Sequence, residues 1–317
     1  MRNLVAVERG CLIGHCLSLV FGLAGLLLVL PNPALIAALP PFGQQVFGWS
    51  MAGGGVVYIL LGAVTVALYG FRTVGWHNLL GFMLPAIALS LCSELVGTST
   101  GFPFGHYGYL NGLGYKIAGL VPFTIPLSWF YLGFSAYWLA RAGLASRKLP
   151  AWLTSGGAIA LGALLLTAWD FVLDPAMSQA TYHFWEFQDA GEFFGMPYRN
   201  LTGWLGTGAL FMAVATLFWR QNRESSTRDH LWVPLAIYLV NFAFGATITL
   251  VQLDHQFVIP TAIGTALGVF PALWLWWSAS ATPAMTPTGG IGQDANPERP
   301  EASGAEVVPV TVPLGSE

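Results

Sequence analysis

The sequence is dominated by apolar runs that are each long enough to cross a lipid bilayer as a helix. A bilayer core needs about 20 consecutive apolar residues in a helix, and only 9% of this chain is charged while 55% is hydrophobic. A soluble domain carries about 25% charged residues. We therefore predict an all-α fold, a polytopic membrane helix bundle with about eight transmembrane helices. The expected spans are Cys11–Leu30, Met51–Tyr69, Gly75–Val96, Pro122–Ala140, Trp152–Leu173, Leu201–Trp219, Leu231–Val251 and Phe257–Ser278.

The distribution of basic residues predicts the orientation of the bundle. Cytoplasmic loops of membrane proteins are enriched in Lys and Arg. With a cytoplasmic N-terminus, the outer segments carry only Lys116 and Arg199. The bias therefore predicts that the N- and C-termini are both cytoplasmic. The basic residues on the expected inner side are Arg2, Arg9, Arg72, Arg141, Arg147, Lys148, Arg220, Arg223 and Arg228.

A change of composition near residue 282 divides the chain. We expect residues 1–281 to form a transmembrane catalytic domain and residues 282–317 to form a disordered, acidic, Pro/Gly-rich C-terminal tail. Without the tail the charges nearly balance, so there is no basic field to attract nucleic acid. The three cysteines, Cys11, Cys16 and Cys92, lie in apolar runs without metal-ligand spacing. No metal site is predicted.

Acidic residues collect on the predicted outer side. Asp170 and Asp174 end the fifth span four residues apart, and therefore lie on one helical face. The helix dipole and mutual repulsion disfavour two carboxylates there, so such a pair tends to share a proton. A carboxylic acid that stays protonated near neutral pH is what a proton donor requires. Glu94 is expected at the same depth, and intramembrane acids are usually functional.

Two long loops on the same side are rich in aromatic residues. Some of these residues are expected to form the aromatic belt at the membrane interface. The others could line a hydrophobic slot or stabilise a cation through their π faces. The sequence thus predicts a polar and aromatic chamber near the outer leaflet.

Three segments resemble a known family. They are ELVGTSTGFPFGHYGYLNGLGYKIAGLVPFTIPLSW from Glu94, DFVLDP at Asp170–Pro175 and FFGMPYRNLTGW at Phe193–Trp204. In content and order they resemble the motifs of the CruF-type membrane carotenoid hydratases, which include γ-carotene 1′-hydroxylases and bisanhydrobacterioruberin hydratases. The resemblance runs from about Gly75 to Phe218.

The resemblance implies an enzyme that adds water to the terminal 1,2 double bond of an acyclic ψ end. The substrate would be γ-carotene, lycopene or a C50 precursor, and the reaction would pass through a tertiary carbocation. No cofactor is expected. The expected partners are the carotenoid in the bilayer, the lipid membrane and other carotenoid biosynthesis enzymes, in a bacterial plasma membrane or an internal photosynthetic membrane.

The residues of the three motifs receive roles on this interpretation. Asp170 or Asp174 would donate the proton, and Glu94 would stabilise the cation or orient water. His106 and Tyr107 would support the acids by hydrogen bonds, and Asn200 would help place the water. The expected substrate-binding residues are Phe104, Tyr109, Trp129, Trp185, Phe194 and Trp204.

Two alternatives stay open at this stage. A lycopene-cyclase-like enzyme would protonate a similar polyene end, but an intramolecular double bond would capture the cation. A non-catalytic membrane transporter or lipid-binding protein is the other alternative. Transporters often contain internal repeats, and the two halves of this sequence show no convincing repeat.

Overall fold

The structure is a computed structural model that describes residues 2–147, 149–189, 191–219 and 228–279. The predicted disordered tail, residues 282–317, lies outside these residues. The described chain is almost entirely helical. The helices are α1 Arg2–Ala24, α2 Pro33–Ala38, α3 Pro41–Thr100, α4 Thr124–Ala145, α5 Ala151–Ser178, α6 Tyr198–Phe218, α7 Trp232–Gln252, α8 Val258–Gly264 and α9 Phe270–Ser278. Five-residue π-helical turns, Gly25–Val29 and Thr265–Val269, extend α1 and join α8 to α9.

Six helical segments are long and apolar enough to cross a membrane. They are Arg2–Val29, Pro41–Thr100, Ala151–Ser178, Tyr198–Phe218, Trp232–Gln252 and His255–Ser278. The prediction of an all-α polytopic membrane bundle is therefore confirmed. The first helix begins nine residues earlier than the predicted Cys11, because the segment before that residue, although more polar, continues the same helix.

The predicted second and third spans are joined in α3. Gly75 interrupts this helix with φ 79° and ψ 165°, a conformation that glycine adopts without steric cost. The chain reverses direction there. Before Gly75, later residues of α3 contact later residues of α4, whereas after Gly75 later residues of α3 contact earlier residues of α4. These contacts are Gly62 with Tyr131 and Tyr69 with Trp138, then Phe82 with Tyr137 and Glu94 with Trp129. One 60-residue element thus supplies two crossings of the bundle.

Helix α4 is the central helix and corresponds to the predicted fourth span. It is not among the six most apolar segments, because Trp, Tyr and Ser residues lower its hydropathy. Of its 22 residues, 18 are buried, and it packs against α3, α5, α7 and α9. A helix surrounded by protein can carry polar groups that a lipid-facing helix cannot.

The two ends of the bundle differ in character. At one end lie the residues between helices, 101–123, 179–189 and 191–197, and we call this the loop end. Strand β1 (Tyr107–Tyr109) pairs antiparallel with β4 (Trp185–Phe187), and β2 (Lys116–Ile117) pairs with β3 (Val121–Pro122). The opposite end, the arginine end, carries Arg72, Arg141, Arg147 and Arg228. There Arg72 forms a bidentate ion pair with Glu8, both distances being 2.8 Å, which ties α3 to α1.

Candidate active site

Three helix ends converge beneath the loops. Helix α3 ends at Thr100, and Gly101 follows it with a φ of 79° and an N–H bond to Gly97 O that closes the last turn. This places Glu94 about two turns before the end of α3. Asp170 and Asp174 lie in the last turns of α5, and Asn200 lies in the first turn of α6. The four side chains are at most 3% exposed.

The Asp170–Asp174 pair is held by a single amide. Asn200 Nδ2 donates to Asp170 Oδ2 at 2.8 Å and also donates to Asp174 Oδ2. Because both carboxyl groups bond to the same Nδ2 atom, they lie next to each other. Trp185 Nε1 donates to Asp174 Oδ1 at 3.2 Å. Asp170 Oδ1 is buried and receives no N–H or O–H donor from the described residues.

Glu94 has a different environment, with three donors. Tyr107 OH and Tyr109 OH both donate to Oε2, the latter at 2.8 Å, and Trp129 Nε1 donates to Oε1 at 2.9 Å. Burial and the adjacent Glu94 raise the pKa of Tyr107 and of Tyr109 well above the ordinary value, so both hydroxyls keep their protons. A carboxylate only accepts hydrogen bonds, so an environment of three donors favours the ionised form of Glu94.

A small cavity of about 40 Å³ lies between these acids. This is room for one or a few water molecules. Trp129 and Trp204 stack on one side with ring centroids 4.1 Å apart. Asp174 lines the cavity and Asp170 lies behind it. The lining residues are Glu94, Phe104, Tyr107, Tyr109, Ile125, Ser128, Trp129, Leu173, Asp174, Trp185, Phe187, Asn200 and Trp204. We call this cavity and its lining the acid chamber.

Close approach of two glycines fixes the ring of Phe104. A Cβ on Gly97 of α3 would lie 2.7 Å from this ring, and one on Gly203 of α6 would lie 2.5 Å from it. The ring therefore occupies a space that only glycine leaves between the two helices. This explains locally why Phe104, from a loop, reaches the acid chamber.

The structure brings most of the predicted site residues together. Asp170 contacts the chamber through Asn200, and the predicted residues that line the chamber are Glu94, Phe104, Tyr107, Tyr109, Trp129, Asp174, Trp185, Asn200 and Trp204. Their proximity is a geometric result, and their catalytic and substrate-binding roles stay predictions. No three His, Cys, Asp or Glu residues in the described ranges are grouped as a metal site requires.

His106 and Phe194 lie elsewhere, and this corrects two expectations. His106 Nδ1 pairs with Asp189 Oδ1 at 3.1 Å, and the side chain is half exposed. It lies at the bend before β1, and its backbone N–H and ring both bond to Asp189 rather than to the buried acids. Phe194 packs against Phe193 and Phe257, with ring centroids 5.0 and 5.8 Å away.

Four lining residues were not predicted: Ile125, Ser128, Leu173 and Phe187. Three of them share a face with a predicted residue. Ile125 lies four residues before Trp129, Leu173 lies three after Asp170, and Phe187 lies two after Trp185 on the same strand. Helix and strand periodicity could have identified these three. Ser128 has no such signal.

Comparisons with known proteins bear on this site. The sequence profile of the family described as carotenoid biosynthesis protein matches residues 54–271. Over 130 residues the chain is 35% identical to the bisanhydrobacterioruberin hydratase of Haloarcula japonica. The aligned region covers 40% of this chain and 42% of that protein, so the match spans less than half of the curated relative. No solved structure matches the chain.

Proposed function

Because the chain belongs to the carotenoid biosynthesis protein family, we propose that it is a carotenoid 1,2-hydratase, a hydro-lyase. It adds water to the terminal double bond of an acyclic ψ end of γ-carotene, lycopene or a C50 precursor. One observation carries the proposal: Asn200 holds two buried aspartates beside an aromatic cavity that Glu94 also lines. The likeness to a relative named as a hydratase supports the same reaction.

Asp174 is the proton donor, and Asp170 is its partner. Of the two, Asp174 lines the acid chamber. The two carboxyl groups bond to one Nδ2 atom and share a proton, because like charges so close cannot both be ionised in a buried site. Asp174 transfers this proton to C2 of the alkene. The π electrons of the double bond form the new C–H bond, and a tertiary cation is left at C1.

Glu94 and the aromatic walls stabilise this cation. The ionised Glu94 supplies a negative charge that its three donors keep in place. Aromatic faces attract cations when water is excluded, and the stacked pair Trp129 and Trp204 presents such a surface. Preorganised groups of this kind need no rearrangement when the charge develops.

Water completes the reaction. Asn200 and Glu94 orient a water molecule whose oxygen bonds to C1 of the cation. The oxonium that forms then loses a proton to the aspartate pair, which restores the acid for the next turnover. The sum is alkene plus water giving a tertiary alcohol, with no oxidation or reduction.

The membrane location fits a substrate that dissolves in the bilayer. We propose that both termini are cytoplasmic and that the loop end with its acid chamber faces outward. The arginine end would then obey the positive-inside rule. In this orientation Asp174 and the wall residues would lie near the outer interface, where a carotenoid end group could reach them.

Product analysis tests the function. The chain is expressed in a host that accumulates lycopene or γ-carotene, and the masses of the pigments are measured by mass spectrometry. Hydration adds the mass of one water per modified end, and oxygen-18 water labels the new hydroxyl. A cyclised product of unchanged mass would mean a cyclase, and label from molecular oxygen would mean an oxidative hydroxylase. The Asp174→Asn variant is the matched negative control.

A further inference from the structure

A large apolar groove opens at the loop end between α1 and the first half of α3. Its volume is about 770 Å³, far larger than the acid chamber. No charged residue is among those that line it. Its aromatic walls are Phe21, Trp49, Tyr58, Tyr182, Phe184 and Phe244.

Glycines create the floor of this groove. Gly22 and Gly25 contribute from α1 and its π-helical extension, and Gly53, Gly54 and Gly55 contribute from α3. A Cβ at Gly53 would meet no atom within 4 Å, so the space there is open. A glycine inside a helix costs about 1 kcal/mol relative to alanine. Three successive glycines therefore lower the stability of this part of α3, and they leave a helix surface without side chains.

The groove and the acid chamber share a wall. Phe184 lines the groove and the next residue, Trp185, lines the acid chamber. Phe184 lies at the bend just before β4, and Trp185 is the first residue of that strand. Leu110 N–H donates to Phe184 O at 2.8 Å and fixes this segment against the loop that carries Tyr109.

We propose that this groove binds the conjugated polyene body of the carotenoid while the ψ end enters the acid chamber. This inference rests on the proposed function. The α3 residues that line the groove run from Val46 to Tyr58, a length of about 18 Å at the helical rise. A rigid polyene loses little conformational entropy in such a slot, whereas a flexible acyl chain loses much more. The aromatic walls offer flat faces to a flat conjugated chain.

A second groove of similar size provides a comparison. It lies between the second half of α3 and α6, with a volume of about 690 Å³. Its lining runs from Trp76, next to the Gly75 turn, to Leu89, and includes Val214 and Phe218. Like the first groove, it shares no lining residue with the acid chamber, but unlike the first groove it has no lining residue next in sequence to a chamber residue. We expect lipid acyl chains to occupy this groove.

Direct binding of lycopene tests the inference. The full-length protein is placed in lipid nanodiscs and titrated with lycopene, which has no circular dichroism of its own but acquires it in a chiral site. Gly53→Leu fills the groove and favours the helix, and Gly53→Ala fills it only partly. Gly48→Leu is the matched control, since Gly48 also faces open space in α3 but does not line the groove. Ala88→Phe fills the second groove.

We expect the wild type, Gly48→Leu and Ala88→Phe to bind lycopene equally. Gly53→Leu should weaken binding and product formation by about tenfold or more, with Gly53→Ala intermediate. Asp174→Asn should bind lycopene normally and form no product. Wild-type binding by Gly53→Leu, or no induced dichroism in the wild type, would overturn the groove assignment and leave the hydratase proposal standing. Groove-dependent binding without any hydration would instead refute the proposed function and keep the groove as a carotenoid site.

Discussion

Two of the buried groups of polar side chains in this bundle differ in what they leave unsatisfied. Glu94 and Asp174 of the acid chamber and Asp170 behind it form one group, and one oxygen of Asp170 has no donor from the described residues. The other group, which we call the polar network, joins His15, Asn241 and Tyr131. Asn241 Nδ2 bonds to His15 Nε2 at 3.0 Å, and Tyr131 OH donates to Asn241 Oδ1 at 3.0 Å.

The polar network is neutral and closed. Because the amide of Asn241 donates to Nε2, the proton of His15 lies on Nδ1 and is donated to Tyr58 O at 2.8 Å. Each ring nitrogen of the buried His15 thus has a partner, and the network links α1, α3, α4 and α7. The comparison teaches that polar burial alone can serve helix packing, whereas chemistry requires ionisable groups, an unsatisfied atom and a cavity.

The largest effect on product formation is expected from a substitution in the acid chamber rather than in the polar network. Asp174→Asn keeps the shape of the side chain but removes its transferable proton. We expect product per folded molecule to fall by about 10²–10⁴-fold, the range that a placed general acid contributes. Carotenoid mass analysis normalised to protein in the membrane measures it. The control is Asp254→Asn, which changes an exposed carboxylate at the same end and should leave product formation nearly unchanged. A loss of product below about threefold for Asp174→Asn would exclude general-acid catalysis by this residue.

Glu94→Gln tests whether Glu94 has a role in the acid chamber different from that of Asp174. The variant preserves the volume of the side chain but removes the negative charge beside the proposed cation. We expect a loss of about 10²-fold in turnover, the effect of deleting one preorganised electrostatic group, with lycopene binding unchanged. If turnover fell only because lycopene no longer bound, Glu94 would be a structural residue of the chamber.

The sequence predicted much of this architecture because bilayer length and helical periodicity are local signals. The spans follow from apolar length, and the shared face of Asp170 and Asp174 follows from their four-residue spacing. The resemblance of the three motifs to carotenoid hydratases, now confirmed by the family match, indicated which segments converge.

Other features depend on contacts between distant residues, which spacing does not reveal. Nothing local shows that Asn200 bridges both aspartates or that three donors surround Glu94. Pairing of β1 with β4 holds Tyr107 beside Glu94, whereas His106, at the bend before the strand, pairs with Asp189. The sequence did not predict the groove either, because Gly53–Gly55 form its floor only when α1 packs alongside α3.

The polar network should affect stability rather than turnover. Asn241→Leu removes the amide that bonds His15, Tyr131 and Ile237 O. Leaving buried polar groups unpaired costs about 1–3 kcal/mol each, so the thermal midpoint of the purified protein should fall. Turnover per folded molecule should stay within about twofold, since no chamber residue changes. Thr247→Val, which removes only an exposed bond within α7, is the control, and a selective loss of turnover would place the polar network in the mechanism.

The smallest expected effect defines the outer boundary of the acid chamber. His106→Gln removes the imidazole that pairs with Asp189, but the backbone N–H of residue 106 still donates to that carboxylate. Exposed ion pairs contribute little to stability, and the ring pairs with Asp189 and does not line the acid chamber. We therefore expect less than about twofold change in product and in the thermal midpoint. Tyr107→Phe, one residue further on, removes a donor to Glu94 and should reduce turnover clearly more. If His106→Gln proved the more damaging of the two, proton transfer would have to reach the chamber through the loops, and the boundary would move outward to include Asp189.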